Sequence, residues 1–306
     1  MVVQDEDDII KESLAHLMNY IDQAYVLDLG SSDHTFEILS DMALRDSRIV
    51  IDRIQNVVFH EGIRSVIFNK YRNNFNNGDW IIRADADEFY CVDPNEFIEK
   101  QLKKRETFVF LQWYYFRLTS LEVEAYESGR IDIIQDRRMS IMDRRRFYKI
   151  PVYTEPRMFQ YRSTMCWPDT ISFPYNAGFV AKERIPIMHF PHRDPIQMEK
   201  RFRIRSQVNR TSGFAGRHWD LIDWKKDVLN YNESTGTYEE QINSQSGLTS
   251  IPGLTSSEVY YNNNDNQLPS VKYLNHTGHL STRIIKYSLH SFFLPILDSF
   301  HGCPVK

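Results

Sequence analysis

Asp85 and Asp87 stand two residues apart in the run Asp79-Trp80-Ile81-Ile82-Arg83-Ala84-Asp85-Ala86-Asp87-Glu88-Phe89-Tyr90. In an extended backbone, residues two apart point to the same side, so both carboxylates are expected to face one way across the small Ala86. Like charges that close penalise each other's ionisation. A hard divalent cation removes the conflict, because Mg²⁺ and Mn²⁺ take oxygen ligands and share them with substrate phosphates. The chemistry expected is the anchoring of a metal ion and a diphosphate at a strand end. The plain alternative is a solvated acidic turn.

The elements that must position this pair are legible upstream. Val2 to Gln4 reads as a strand fragment, and Met1-Val2-Val3 as only the tail of a strand that begins earlier. Ile10, Leu14, Leu17, Met18 and Ile21 recur at helical spacing after the acidic Asp5-Glu6-Asp7-Asp8, where a helix N-terminus favours negative charge. A buried strand follows from Ala24 to Leu29. It breaks at Gly30-Ser31-Ser32-Asp33, and Ser32 or Asp33 is placed to cap a helix from Thr35 to Leu44. Further strands are expected over Arg48–Ile54, Trp80–Ile82 and Thr107–Trp113, and helices over Ile63–Phe75 and from Asp93-Pro94 to about Lys103. Strand and helix alternate with short connections, which calls for a mainly parallel sheet flanked by helices. Ligands sit at the carboxyl ends of such strands. Asp5-Glu6, Asp28 with Asp33, and Asp85 with Asp87 all fall at that edge.

Three motifs in this order are similar to the glycosyltransferase family 2 pattern: Gln4-Asp5-Glu6-Asp7-Asp8-Ile9-Ile10, Leu27-Asp28-Leu29-Gly30-Ser31-Ser32-Asp33-His34-Thr35, and Asp79-Trp80 to Asp87-Glu88-Phe89. The resemblance covers about Val2 to Phe116. It implies the α/β GT-A fold, and transfer of a sugar from a nucleoside diphosphate donor, UDP-sugar in first place, with Mn²⁺ or Mg²⁺. Carried over by position, Asp5, Glu6, Asp28 and Asp33 would hold the nucleoside end of the donor. Asp85 and Asp87 would hold ribose and metal. Leu29 stands where the family often has an acidic residue, and His34 replaces a glycine. Inversion at the anomeric carbon is what family relatives suggest.

The second half is expected to be irregular from Ile131. Arg137-Arg138, Arg144-Arg145-Arg146 and Lys149 read as a solvated basic face, or as a contact for diphosphate or an anionic acceptor. After Pro156-Arg157-Met158-Phe159, relatives carry a carboxylate base, which puts forward Asp169, with Glu155 behind it. The run His189-Phe190-Pro191-His192-Arg193, then Gln197 and Lys200, resembles a family segment in which the histidine completes the metal shell and basic residues face the phosphates. His189, Arg193 and Lys200 are the residues carried over. Pro191 rules out a helical zinc pair. Thr235 to Asn266 reads as a long polar loop or lid, and Ile284 to Phe300 as an amphipathic helix packed on the domain, with interfacial membrane contact or dimerisation as the alternative.

Length and charge bound the rest. The expected organisation is a nucleotide-sugar-binding half at 1–125, an acceptor and catalytic half at 126–215, and an extension at 216–306. A formal charge of −4 gives no global attraction to nucleic acid. Cys91, Cys166 and Cys303 are odd in number and scattered, so no disulfide framework is expected, and a reducing, cytoplasmic setting is. No run of eighteen apolar residues suggests a membrane span. The partners expected are a nucleotide-sugar donor and a carbohydrate or other hydroxyl acceptor. A nucleotidyltransferase would want glycines after the first strand, and Met1 to Asp8 has none. The competing function is a non-catalytic carbohydrate-binding or assembly module that keeps the fold.

Overall fold

The computed structural model describes residues 1–55, 57, 59–151, 154–212, 224–240 and 260–261. In chain order its elements are β1 (Val2–Val3), α1 (Ile10–Leu17), β2 (Ala24–Asp28), α2 (Thr35–Arg45), β3 (Ile49–Arg53), α3 (Arg64–Tyr71), β4 (Trp80–Ile82), β5 (Glu88–Tyr90), α4 (Pro94–Gln101) and β6 (Glu106–Arg117). Then come α5 (Ser120–Glu127), α6 (Ile133–Asp136), α7 (Ile141–Arg144), β7 (Phe147–Lys149), β8 (Pro156–Gln160), β9 (Phe179–Val180), β10 (Ile185–His189) and α8 (Pro195–Ser212). Beyond α8 the chain forms a hairpin of β11 (Leu229–Asn232) and β12 (Thr237–Glu240). The chain divides into two units, with boundaries inside β6 at Gln112/Trp113 and inside β10 at Ile187/Met188.

In the first unit, β1, β2 and β3 form a parallel sheet in that order, with Val3 opposite Asp28 and Asp28 opposite Arg53. Helical crossovers α1 and α2 make that direction obligatory. Ile10, Leu14 and Leu17 sink one face of α1 into the core, the first two in a cluster with Val3, Val26, Leu39, Ile49 and Ala86. The rest of this unit is not parallel. β4 pairs antiparallel with β8, Ile81 opposite Phe159, and β8 pairs antiparallel with β6, Phe108 opposite Phe159. The mainly parallel sheet expected from the alternation is therefore corrected to a mixed one. The neighbour of β4 is a strand nearly eighty residues on, so no short strand–helix–strand unit fixes its sense. Phe68, Phe108, Phe110, Phe159, Tyr161 and Trp167 fill the core beneath it. Asp93 caps α4 by accepting from Asn95 N at 2.8 Å, as its sequence position suggested.

In the second unit, β7 pairs with the end of β6, Phe116 opposite Tyr148. Thr119 and Glu122 cap α5 reciprocally. Its apolar cluster is Leu118, Val123, Tyr126 and Val228. Residues expected to be irregular fold into the short helices α6 and α7. The basic stretch is also corrected: Arg144 and Arg145 are buried, not solvated. Of the expected lid, Thr235 lies in the turn of the hairpin and Thr237–Glu240 are its second strand rather than loop, while the remainder, bar Tyr260–Tyr261, and the expected helix Ile284–Phe300 lie outside the described residues. Cys91 is a free thiol. Cys166 is disulfide-bonded. Among the described residues, no helix is long and apolar enough to cross a membrane.

Candidate functional site

The carboxyl ends of β1 and β2 are stitched together by side chains. Asp5 adopts φ of 58°, a left-handed conformation that Asp tolerates better than most residues. The local hydrogen bonds hold it there. Asp5 Oδ1 accepts from Ser32 N at 2.7 Å, Ser32 Oγ at 3.0 Å and Asp33 N at 3.3 Å, while Asp5 N donates to Ser31 Oγ at 2.9 Å. Glu6 N donates to Thr35 Oγ1 at 2.7 Å, and Asp33 Oδ1 accepts from Thr35 N at 2.9 Å. Asp33 thus braces the first residue of α2 from just outside the N-cap, which is His34 and not the Ser32 or Asp33 expected. Asp28 is fully buried and accepts from Ser31 N at 3.2 Å while pairing with Arg53 Nε at 3.0 Å. That burial makes Asp28 a latch for the loop. Asp5, Glu6 and Asp33 remain half-buried and present the polar edge.

Ala86, between the two aspartates, belongs to the same buried cluster as Val3 and Ile10, and Asp85 is near enough to the Met1 ammonium at the start of β1 to act on its charge. The backbone is not extended there: β4 ends at Ile82, and Ala86-Asp87 form the turn into β5. The same-side geometry expected for Asp85 and Asp87 therefore loses its basis. Asp85 Oδ1 accepts from Arg64 Nη2, and Asp85 Oδ2 accepts from Arg157 Nη2 at 2.8 Å. Arg157 also pairs with Glu88, and Arg83 Nη2 donates to Glu155 Oε2 at 2.6 Å. Burial works against the charge on Asp85, but the guanidiniums of Arg157, Arg64 and Arg83 outweigh it and hold the carboxyl well below its usual range. Burial, reinforced by Arg64 and Arg157, lowers Arg83 to about 10. Tyr90 is buried against Glu88 and Arg157; burial pushes its phenol upward, and its hydroxyl has no hydrogen-bond partner among the described residues.

Mn²⁺ or Mg²⁺, implied by the resemblance, does not fit this donor set. Both oxygens of Asp85 are engaged by guanidiniums, and no three His, Cys, Asp or Glu side chains among the described residues are grouped to hold a metal ion. His189, expected to complete the shell, lies in the second unit, stacked on Trp113 with centroids 5.2 Å apart and edge-on to Tyr115 at 5.0 Å.

The candidate bases differ. Glu155 is 40% exposed on its side chain and ion-paired to Arg83. Asp169 is exposed, and its backbone packs so closely on Gly62 that a Cβ there would overlap the Asp169 carbonyl. Gly62 precedes Arg64 by two residues, so the loop carrying Asp169 is held next to the arginine that grips Asp85. Arg193 and Lys200 are in the second unit. Arg193 precedes α8, is fully buried, and donates from its backbone N to Gln197 Oε1 at 3.2 Å and from Nη1 to the carbonyl of Phe190 at 3.3 Å. Gln197 and Lys200 lie on α8, and Arg193 lies two residues before it.

The structure adds Arg64, Arg83, Arg157, Glu88 and Tyr90 to the site. Arg83 and Glu88 stand inside the aspartate run itself, and a buried carboxylate cluster implies a cation. That was the available signal. A cavity of about 500 Å³ lies alongside in the same unit, lined by Arg64 and Arg83 with Ala24, Tyr25, Ile81 and Ile82; none of the carboxylates expected to act lines it.

No family model and no curated protein matches the chain. Among solved structures, residues 1–349 of S. aureus TarS in complex with UDP align over 72% of this chain and 67% of that one, at 11% identity and a TM-score of 0.31. A superposition that loose does not establish a shared fold.

Proposed function

We propose that the first unit binds a nucleoside-diphosphate sugar and that the protein is a glycosyltransferase acting on a hydroxyl acceptor. The observation that carries this reading is the joining of two acidic strand ends, Asp5 bonded to Ser32 and Asp33, with Ala86 of the aspartate turn in one buried cluster with Val3 and Ile10. In α/β sheets that edge is where nucleotides are received. Asp5, Glu6 and Asp33 would meet the nucleoside, and Asp28 would keep their loop in place. Departure of the diphosphate builds negative charge, which preorganised cations stabilise; Arg64 and Arg157, both fixed on Asp85, are such groups. A carboxylate must take the acceptor proton. Asp169, exposed on its anchored loop, is the first choice, and Glu155 the second.

The test is isothermal titration with UDP, GDP and CDP, followed by donor hydrolysis. Saturable binding of one nucleotide and slow release of nucleoside diphosphate from its sugar conjugate are expected. Absence of binding to all three would sink the reading. One observation favours the alternative of a non-catalytic carbohydrate-binding module: Asp85 and Glu155 are both already satisfied by guanidiniums. Nucleotide binding with no hydrolysis and no transfer is its signature.

A further inference from the structure

The pair Asp85 and Asp87 invites treatment as one chelating unit, but the surroundings of Asp85 separate the two. A carboxylate has two oxygens, and here Arg64 takes one and Arg157 the other. Arg157 is 1% exposed and is gripped by Glu88 from another side, while Arg64 is 8% exposed at the first turn of α3. A cation binding Asp85 directly would have to push one of these guanidiniums away. The displaced guanidinium would lose a short, largely buried ion pair with Asp85, which is unfavourable. The cation would also sit beside two positive groups at short range, where repulsion in a poorly solvated site is large. Neither cost arises if Asp85 acts through its arginines. Planar guanidinium forks hold carboxylates with directional bonds, so the arrangement fixes the heads of Arg64 and Arg157 at the edge where a diphosphate would arrive.

We propose that Asp85 is a positioning residue that orients Arg64 and Arg157 and does not ligate a divalent cation. The inference rests on the nucleotide-binding reading of this edge, and it divides the aspartate pair: any metal dependence of binding passes through groups other than Asp85.

The experiment measures UDP affinity with Mn²⁺ and with EDTA for the wild type, Asp85→Asn, Arg64→Met and the double variant. Each single change is expected to weaken UDP about tenfold, and the double variant no further than the weaker single, because residues acting as a unit are not additive. The ratio of affinities with and without Mn²⁺ is expected to stay within about twofold of the wild type in Asp85→Asn, well inside the tenfold steps that mark a lost ligand. Loss of the Mn²⁺-dependent gain in Asp85→Asn, with the gain intact in Arg64→Met, would overturn the proposal. If Asp85→Asn does not fold, Arg64→Lys keeps the charge without the fork: weaker UDP binding with an unchanged Mn²⁺ ratio supports the proposal, and a collapsed ratio refutes it. If the wild type binds neither UDP nor GDP nor CDP in either buffer, the nucleotide reading fails by itself. Mn²⁺ alone, followed by electron paramagnetic resonance, then decides about Asp85: no site lost on Asp85→Asn upholds the proposal, and a site that vanishes with that substitution ends it.

Discussion

Each unit buries arginines against carboxylates, and the two groups differ in what their carboxylates can still reach. In the second unit, Arg145 pairs with Asp136 at 3.2 Å and Glu122 at 3.3 Å, Arg144 pairs with Asp136 at 3.1 Å, and Arg137 holds Asp194 at 2.9 Å. Tyr126 donates its hydroxyl to Asp136 at 2.6 Å, and Asp194 caps α8 through Gln197 N at 2.9 Å. Asp136 and Asp194, which carry most of these pairs, are almost wholly enclosed, and only Glu122 at the margin keeps 19% of its side chain in solvent. In the first unit, the arginines are just as deep, but Asp85 and Glu155 keep 22% and 40% of their side chains in solvent. A sealed cluster of this kind fastens helices and caps. An open one can exchange a protein partner for a ligand. Buried guanidiniums therefore do not mark a site; solvent at the carboxylate end does.

The contrast is broken most directly in the sealed cluster. Arg145→Met deprives Asp136 and the cap residue Glu122 of a buried cation, and a loss of about 3–5 kcal/mol is expected in urea or thermal unfolding. A loss under about 1 kcal/mol would mean that the second cluster is as open as the first.

Acid is the next lever. Burial and nearby Arg117 lower His192 to about 4, opposed by Asp227, to which its Nε2 lies at 3.1 Å. The folded value is below the unfolded one of about 6.5, so the unfolded chain takes up the proton first. Stability is complete above pH about 6.5 and declines as the pH falls toward about 4, by up to about 3 kcal/mol. Asp227, held below its ordinary range against burial by His192 and Arg117, adds a further loss in stronger acid. His192→Gln should flatten the slope between these pH values in unfolding measurements. An unchanged slope would locate the titrating group elsewhere.

The open cluster should answer more gently. Glu155→Gln is expected to cost only about 1–2 kcal/mol of stability, because glutamine Oε1 can still accept from the buried Arg83 while its own side chain stays in solvent, and to change nucleotide affinity or turnover. A large stability loss with unaltered binding would erase the distinction between the clusters. Tyr90→Phe removes a buried hydroxyl without a partner among the described residues, so thermal unfolding should show no loss, or a gain of up to about 1 kcal/mol.

The sequence carried the local structure well and the pairing poorly. Ile10, Leu14 and Leu17 announce α1 by spacing, and Asp93-Pro94 announces α4 by its cap. Such signals lie within one turn of backbone or a few. The partners of Asp85 lie 21 and 72 residues away, and no periodicity reports a contact between separate elements. The need for counter-charge at the aspartates was legible, but not that arginines meet it at Asp85. Arg144 and Arg145 read as solvated for the same reason: their acids come from Glu122, Asp136 and Asp194 on other elements. The antiparallel placement of β8 was hidden too, because strand direction depends on which distant strand arrives beside it.

Gly62 gives experimental access to the candidate base without touching its side chain. One added methyl would act as a wedge under the backbone of Asp169, and the obstructing atoms are main chain, which cannot swing aside as a long side chain would. In Gly62→Ala the Asp169 loop must lift or the turn before Arg64 must yield. Turnover lost with nucleotide affinity kept would show that this loop is part of the machinery. Equal turnover would show that the chemistry does not depend on where Asp169 stands.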